Sequence, residues 1–260
     1  MTLLHFLDPN PAGTPAVFLL HGLGANCSSW TLQLEPLSAA GMRPIAPDLP
    51  GFGESRYDGK GWSFKRIAQE LAGLRNDLQA GPLHMIGLSM GGVAAQQFAL
   101  DYPRLVRKLI LVSTFCVLRP ENLSQWGYFF QRLVIVHALG LKQQSKVVAK
   151  RVFPNPEQEA LRQMAEKQIS SADPRAYRAA MRSLGLFDSR KRLKELNLPT
   201  LVITGAADST ISPVRQKILS DAIRGAKQIV IPNAGHAIAI DQFEPFNRAM
   251  LKFLAQGLVD

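Results

Sequence analysis

The chain has 260 residues, of which 47% are hydrophobic and 19% charged, so it fits one α/β domain with an insertion and is too apolar for a disordered protein. Its formal net charge is +10, but the two basic clusters, residues 142–151 and 190–194, carry no interleaved aromatic residues, which argues against nucleic-acid binding. Cys27 and Cys116 are too few and too far apart for a disulfide framework or a metal site, and we expect both thiols to be reduced and buried.

The sequence is not typical of a secreted or membrane protein. Its first 13 residues lack the basic flank, apolar run and cleavage site of a signal peptide. The most apolar helical stretch, residues 128–141, includes Arg132 and has about 14 residues, whereas a membrane span needs about 20. The sequence carries no signal for an oligomeric state. We therefore expect a cytoplasmic protein without membrane insertion.

Six short apolar runs predict buried strands. Each run is continuously apolar rather than alternating, which is typical of strands that are buried on both faces of a parallel sheet. The runs are residues 16–20, 43–46, 83–87, 108–112, 200–204 and 227–231. Helical patterns separate most of them, so we predict an α/β fold with a doubly wound, mostly parallel sheet and right-handed crossovers.

One long interval interrupts this alternation. Residues 113–199 contain no convincing strand, although a crossover helix needs far fewer residues. Helical patterns fill the interval, at residues 125–139, 143–151, 157–169 and 174–184. We therefore predict a core formed by residues 1–115 and 187–260, with a helical cap, residues 116–186, inserted at the carboxyl edge of the sheet, where α/β folds bind ligands.

Residues 87–91, GLSMG, lie between the third apolar run and a helical pattern. A G-x-S-x-G sequence at a strand-to-helix turn is the context of a nucleophile elbow. The glycines are needed because such a strained turn brings the strand and the helix close together. The serine hydroxyl would then project outward, near the positive end of the helix dipole. We predict that Ser89 is the nucleophile.

A serine hydroxyl needs a neighbouring base, which a third group orients. In this type of fold the nucleophile, the acid and the histidine follow in that chain order. Asp208 comes after the fifth apolar run and His236 after the sixth, so both are expected at the same sheet edge as Ser89. The other four histidines are expected to have core or surface roles. Asp241, which follows the base in the chain, is a rival acid.

Acyl transfer also needs two backbone N–H groups that bind the developing oxyanion. The residue after the nucleophile, Met90, is expected to supply one. The first apolar run is followed by His-Gly-Leu-Gly, residues 21–24, and we expect Leu23 to supply the other. Gly22 and Gly24 are alternative donors, and these glycines could also merely end a strand.

With these residues in place, the chain resembles the α/β-hydrolase superfamily, and within it the compact bacterial carboxylesterases and lactonases with a helical lid. The resemblance rests on FLLHGLG, PDLPGFGES, GLSMGG, LVITGAADSTISP and NAGHAIAIDQFEPFNRAMLKFL, which occur in this order over nearly the whole chain. It implies an α/β-hydrolase fold and a triad of Ser89, Asp208 and His236. It also implies catalysis without a metal or an organic cofactor.

Differences from the motifs of other members of the superfamily exclude some reactions. Ser89 stands where dehalogenase-like and epoxide-hydrolase-like members carry aspartate, so those chemistries are not expected. Meta-cleavage C–C hydrolases usually have a glycine-richer oxyanion loop and a tryptophan after the catalytic histidine, whereas this chain has Leu23 and Ala237 there. The DLPGFGES loop is interpreted as structural, with Asp48 and Gly51 shaping a turn.

We therefore predict a serine hydrolase that cleaves carboxylic esters with short-to-medium acyl chains, or other small apolar esters, so its partner is a small molecule. C–C hydrolysis of meta-cleavage products, lactonase, thioesterase or perhydrolase activity, and ligand binding on a hydrolase scaffold stay open as alternatives. Apolar side chains of the cap are expected to line the substrate pocket, or else only to pack the cap onto the core: Trp126, Phe129, Phe130, Leu133 and Val134.

Overall fold

A single mixed sheet organises the chain in the computed structural model, which describes residues 4–118 and 123–256. Its seven strands have the spatial order β1-β3-β2-β4-β5-β6-β7. They are β1 (Phe6–Leu7), β2 (Ala16–Leu20), β3 (Arg43–Pro47), β4 (Leu83–Leu88), β5 (Val106–Val112), β6 (Thr200–Gly205) and β7 (Lys227–Ile231). Only β1 is antiparallel to its neighbour, and the other five strand pairs are parallel. The predicted fold class is confirmed.

Ten α-helices lie in the described ranges. They are α1 (Thr31–Ala39), α2 (Phe64–Asp77), α3 (Met90–Asp101), α4 (Leu123–Val134), α5 (Leu141–Val152), α6 (Glu159–Ser171), α7 (Pro174–Leu186), α8 (Pro213–Ala222), α9 (Ile238–Asp241) and α10 (Phe243–Ala255). A short π-helix, Ile135–Leu139, continues α4. Local sequence explains several starts: Ser63, for example, caps α2 by accepting a hydrogen bond from the Arg66 amide at 3.2 Å.

The strand that sequence analysis missed is β1. It contains only Phe6 and Leu7, which pair with Pro47 and Ala46 of β3. Two residues are too few for an apolar run to stand out from its surroundings, and this strand lies at the edge of the sheet. Its existence therefore depends on pairing with a distant segment rather than on a local pattern.

The two faces of the sheet pack against separate hydrophobic clusters. In β2, Phe18 and Leu20 contribute to the cluster that includes α2 and α3, whereas Val17 and Leu19 contribute to the cluster that includes α1 and α10. Successive strand residues point to opposite faces. All five residues of β2 are buried, and full burial stabilises each large apolar side chain by about 1.5–3 kcal/mol. Burial on both faces explains why these strands are continuously apolar.

Helices α4 to α7 lie between β5 and β6 in the chain, and we call them the cap helices. Tyr177 and Ala176 of α7 belong to the same buried cluster as α2 and α3. The Asp173 amide, just before α7, donates to the Gly51 carbonyl at 2.9 Å. A Cβ on Gly51 would lie 2.1 Å from the Ala176 Cβ. Gly51 therefore permits close packing between the DLPGFGES loop and α7.

The structure also describes the two cysteines and the apolar character of the helices. Cys27 and Cys116 are both buried and form no disulfide. None of the helices in the described ranges combines the length and the apolar character that crossing a bilayer requires.

Candidate active site

Ser89 is the single residue between β4 and α3, and its backbone is strained. Its φ is +54° and its ψ is −112°, in a region that non-glycine residues rarely occupy. The flanking glycines are sterically required: a Cβ on Gly87 would lie 2.2 Å from the Gly91 carbonyl oxygen, and one on Gly91 would lie 2.0 Å from the Leu20 oxygen. Ser89 thus occupies a tight strand-to-helix elbow.

Hydrogen bonds fix this elbow. The Ser89 amide donates to the Val112 carbonyl of β5 at 2.9 Å. The Thr114 hydroxyl donates to the Ser89 carbonyl at 2.8 Å, and the Val93 amide closes the first turn of α3 on the same carbonyl at 3.1 Å. The main chain of Ser89 is therefore fully engaged. Its side chain lies at the amino end of α3, where the helix dipole favours negative charge.

The loops that carry Asp208 and His236 approach each other closely after β6 and β7. The Ala207 amide donates to the Ala234 carbonyl at 2.9 Å. A Cβ on Gly205 would lie 2.5 Å from that same carbonyl oxygen. Only glycine allows this approach, which brings His236 Nδ1 to 2.9 Å from Asp208 Oδ2.

The Asp208 carboxylate is buried and receives four hydrogen bonds. Its Oδ1 accepts from the amides of Thr210 and Ile211 at 2.8 and 2.9 Å, and its Oδ2 accepts from Gln216 Nε2 at 3.0 Å and from His236. Burial alone would raise the pKa of this carboxyl, but His236 and the amide donors outweigh burial, and the pKa lies below its ordinary value. Asp208 is therefore an anion whose hydrogen bond with Nδ1 orients the imidazole.

Asp241, the rival acid, has a different environment. Its Oδ2 accepts a hydrogen bond from the Gly235 amide at 2.8 Å. Burial raises the pKa of its carboxyl above the ordinary value. The hydrogen bond from His236 goes to Asp208, so Asp241 supports the loop that carries His236 rather than orienting the ring.

Of the two predicted oxyanion donors, Met90 follows Ser89 in the chain, and Leu23 lines the same cavity as Ser89. Met90 begins α3, and the first amides of a helix have no partner within it. Leu23 lies in a turn that the Ala25 amide closes on the Gly22 carbonyl at 3.2 Å. In the part of the chain that the structure describes, neither the Leu23 nor the Met90 amide donates a hydrogen bond. Both amides are thus compatible with binding an oxyanion.

His21 holds the turn that contains Leu23. Its Nδ1 donates to the Gly22 carbonyl at 2.8 Å, and its Nε2 accepts from the Leu49 amide at 2.9 Å. This pattern requires a neutral ring, and burial lowers the pKa of the imidazole accordingly. The histidine of the His-Gly-Leu-Gly motif therefore ties this turn to the DLPGFGES loop.

A cavity of about 150 Å³ lies between the sheet edge and the cap helices. Ser89 and His236 both line it, as do His21 and Leu23 of the turn described above. Its cap-side lining is mainly apolar and comprises Val148, Ala149, Val152, Phe153, Met164, Ala165, Ile169 and Leu184, together with Arg132 and Gln168. Ser89 and His236 therefore share one small cavity whose cap side is mainly apolar.

Three of the five predicted pocket residues do not line this cavity. Trp126, Phe130 and Val134 of α4 are 44%, 57% and 61% exposed, and none of them lines the cavity. Trp126 and Phe130 instead stack on each other at the surface, with ring centroids 5.7 Å apart. This corrects the expectation for these three residues, because an apolar helical stripe does not reveal which way it faces. The side chains of Phe129 and Leu133 lie outside the described part of the structure.

Sequence analysis missed three residues that contact the site. Gln216 of α8 binds Asp208, Thr114 binds the Ser89 carbonyl, and Arg132 of α4 lines the cavity. Gln216 and Thr114 have no motif of their own. A signal for Arg132 was present, since it is a charged residue inside the most apolar helical stretch.

One group within residues 4–118 and 123–256 has ligand atoms close enough to hold a metal ion: His5, Cys27 and Asp48. Asp48 is already satisfied, because it accepts from the Cys27 and Glu54 amides and from His5 Nδ1. Burial and the neighbouring Asp48 charge raise the pKa of the Cys27 thiol to about 12, whereas a metal ligand must be the thiolate. The group therefore fits the turn-shaping role predicted for Asp48 better than metal binding.

Comparisons with known proteins agree with this geometry. Residues 17–249 match the family described as "Alpha/beta hydrolase family". The chain is 30% identical over 261 residues to RutD of Variovorax paradoxus (strain S110), whose name assigns it to carbamate hydrolysis, and this match covers 97% of the chain and 96% of the relative.

Two further proteins span nearly the whole chain. One is 2-hydroxy-6-oxononadienedioate/2-hydroxy-6-oxononatrienedioate hydrolase 2 of Pseudomonas putida, which is 29% identical over 270 residues, 96% of the chain and 91% of that protein. The other is the solved structure of a thermophilic esterase from Thermogutta terrifontis with malate bound, which is 30% identical with a TM-score of 0.84 and covers 96% of this chain and 92% of that one. The chain therefore belongs to the alpha/beta hydrolase family.

Proposed function

We propose that this protein is a serine hydrolase that cleaves carboxylic esters with short-to-medium acyl chains through an acyl-enzyme on Ser89. One observation carries the proposal. A serine on a strained elbow shares a cavity with a histidine whose Nδ1 is hydrogen-bonded to a buried carboxylate. This is the arrangement that activates a hydroxyl for acyl transfer.

In the proposed first half-reaction, Ser89 Oγ attacks the ester carbonyl carbon while its proton moves to His236 Nε2. The carbonyl electron pair moves onto oxygen, and the Leu23 and Met90 amides bind the resulting oxyanion. Collapse of this intermediate breaks the bond to the alcohol oxygen, which leaves with the proton from His236. Ser89 then carries the acyl group as an ester.

In the second half-reaction, water attacks the acyl carbon and His236 removes a proton from that water. The tetrahedral intermediate collapses, Ser89 Oγ leaves with the proton from His236, and the carboxylic acid is released. Asp208 holds the imidazole in the tautomer that presents Nε2 and stabilises its protonated form. No metal or organic cofactor takes part in these steps.

The test is hydrolysis of 4-nitrophenyl esters from acetate to dodecanoate, with Ser89→Ala as the control. Turnover that depends on Ser89 and is fastest with short or medium chains is the expected result, because the cavity is small and apolar. The absence of turnover above the Ser89→Ala background would contradict the proposal.

C–C bond hydrolysis is the second candidate, and the Pseudomonas putida relative, at 29% identity over nearly the whole chain, favours it. A meta-cleavage product that is turned over faster than every 4-nitrophenyl ester would make this the better assignment. Lactones, thioesters and peracid formation remain alternative reactions for the same triad.

A further inference from the structure

The cap contacts the turn of residues 22–26, which contains Leu23. Gly24, the next residue, has a φ of +82°. A Cβ there would lie 2.7 Å from Ile169 Cγ1 of α6 and 3.0 Å from Tyr177 Cε2 of α7. No side chain fits at this position, so the main chain beside Leu23 packs directly against the cap. An oxyanion donor must be held to within about 0.5 Å of its productive position, so an element that packs against this turn can affect catalysis.

Hydrogen bonds join α6 to the end of the same turn. Gln168 Nε2 donates to Ser28 Oγ at 3.0 Å and to Asn26 Oδ1 at 3.3 Å. Asn26 Oδ1 also accepts from the Ser28 amide at 3.1 Å and from the Ser28 hydroxyl at 2.7 Å. The Asn26 side chain thereby caps the short 3-10 helix Cys27–Trp30, which follows the turn. Gln168 therefore binds the two side chains at which the turn ends.

The core holds the other end of this turn. His21 donates through Nδ1 to the Gly22 carbonyl and accepts through Nε2 from the Leu49 amide. His21 is fully buried, whereas Gln168 is only partly buried. The turn is thus anchored at both ends, and a substitution outside the hydrophobic core can remove the anchor on the cap side.

Helix α6 also lines the cavity. The residues that do so are three to five positions apart or adjacent, which places them on one side of the helix: Met164, Ala165, Gln168 and Ile169. Gln168 and Ile169 are the same residues that contact the turn. One side of α6 therefore faces both the cavity that would hold the substrate and the main chain that carries Leu23.

We propose that α6 positions the Leu23 amide for oxyanion binding and that Gln168 is the positioning residue. This inference rests on the proposed acyl transfer, since Leu23 is an oxyanion donor of that reaction. Gln168 acts through Asn26 and Ser28 rather than on the reacting atoms. Because the oxyanion forms only on the way to products, a displaced amide lowers kcat and leaves KM nearly unchanged.

The test is Gln168→Met, which keeps the length of the side chain and removes the amide donor. Its kcat for the best 4-nitrophenyl ester should fall by about 5- to 50-fold, less than the roughly 10²- to 10³-fold lost when an oxyanion donor is removed. Its KM should change by less than about twofold. Gln163→Met is the matched control, because Gln163 is exposed on the same helix and donates to Glu159 at 3.1 Å. This control should keep the wild-type kcat.

A double-mutant cycle tests the route through the turn. Ser28→Ala removes one acceptor of the Gln168 amide and should also lower kcat. The loss in the double variant should be smaller than the product of the two single losses, because both substitutions remove one contact. Multiplicative losses would overturn the proposed route. So would a Gln168→Met variant with a raised KM and an unchanged kcat, or one that alters only the melting temperature.

Hydrogen exchange without substrate separates this inference from the proposed function. The amides of Ala25, Ser28 and Ser29 are hydrogen-bonded within this segment, and they should exchange faster in Gln168→Met than in wild type or Gln163→Met. If exchange rises but no hydrolysis depends on Ser89, ester hydrolysis fails and the contact between α6 and the turn stands. If hydrolysis depends on Ser89 but Gln168→Met keeps the wild-type kcat, the positioning role alone is refuted.

Discussion

Within the described residues, two histidine–aspartate pairs have nearly the same geometry. His236 Nδ1 lies 2.9 Å from Asp208 Oδ2, and His5 Nδ1 lies 2.8 Å from Asp48 Oδ2. In both pairs the carboxylate is buried, accepts additional amide hydrogen bonds and has a lowered pKa despite the opposing effect of burial. A side chain of a type that can act as a nucleophile also lies near each pair: Ser89 shares a cavity with His236, and Cys27 lies beside His5.

The surroundings of the two pairs differ. Cys27 Sγ lies 4.0 Å from His5 Nδ1, the same nitrogen that contacts Asp48, and His5 Nε2 faces the Glu54 carboxylate at 3.8 Å. The Cys27 thiol is buried, with a pKa raised to about 12, and does not line the active-site cavity.

In the other pair, His236 has Nε2 left for proton transfer and shares the cavity with Ser89. The two pairs therefore differ in what lies beside the ring, and only the surroundings of His236 fit the proposed proton transfer.

The largest expected contrast is between the two nucleophile candidates. Ser89→Ala should lower kcat/KM for the best ester by at least about 10⁴-fold, because the acyl-enzyme can no longer form. Cys27→Ala should leave kcat/KM within about threefold of wild type, since its thiol does not face the cavity. Steady-state assays of both variants test this contrast, and a comparable loss in the two variants would abolish the distinction between the pairs.

The next largest contrast is expected between the effects of replacing Asp208 and Asp48. Asp208→Asn should lower kcat by about 10³- to 10⁴-fold, because the amide no longer holds the required tautomer or stabilises the protonated ring. Asp48→Asn should instead lower the free energy of unfolding by about 1–3 kcal/mol, because a buried acceptor of two amides and a histidine is weakened. Urea titrations and kcat measurements on both variants distinguish these effects. An Asp208→Asn variant with near wild-type kcat would refute the assigned role of Asp208.

His84 differs from His5 and His236, because neither of its ring nitrogens has a hydrogen-bond partner in the described structure. Burial, reinforced by Lys108 and Arg107, lowers the pKa of His84 to about 4 from an ordinary value of 6.5. The unfolded chain therefore binds the proton more readily. The difference between the two pKa values contributes about 3 kcal/mol to the free energy of unfolding. This contribution is fully present above pH 6.5 and is lost as the pH falls towards 4.

The measurement is the free energy of unfolding at several pH values between 7 and 4. His84→Leu should flatten the dependence over this interval relative to wild type. An identical slope in wild type and His84→Leu would show that His84 does not contribute to acid destabilisation.

The smallest expected effect concerns the exposed cap surface. Phe130→Ala should leave the chain-length preference for 4-nitrophenyl esters unchanged, because Phe130 is 57% exposed and lies outside the cavity lining. Ile169→Ala, which enlarges the cavity at a lining residue, should shift the preference towards longer chains. A shift in Phe130→Ala as large as that in Ile169→Ala would mean that α4 adopts another position during catalysis.

The sequence was most informative where local constraints are strong. Strands buried on both faces must be continuously apolar, and the elbow at Ser89 requires glycine on both sides, so both features can be recognised from residue order alone. Asp208 and His236 follow strands whose carboxyl ends meet at one edge of the sheet, so residue order alone predicts that the two residues lie close together. The division into a core, residues 1–115 and 187–260, and a cap, residues 116–186, stays a prediction.

The remaining features depend on tertiary contacts. The amphipathic pattern of α4 predicts a helix, but Trp126 and Phe130 face solvent while Arg132 lines the cavity. A local pattern does not reveal this orientation, because it depends on tertiary contacts. Gln216 reaches Asp208 because of where α8 lies, and no local sequence signal marks such a contact.

The most direct test of the central claim is to treat the protein with a phosphonate ester that mimics the tetrahedral intermediate and to locate the adduct by peptide mass spectrometry. We predict one adduct, on the peptide that contains Ser89, which Asp208→Asn slows and Ser89→Ala abolishes. Ester hydrolysis that persists while Ser89 stays unmodified, or an adduct on any other residue, would contradict it.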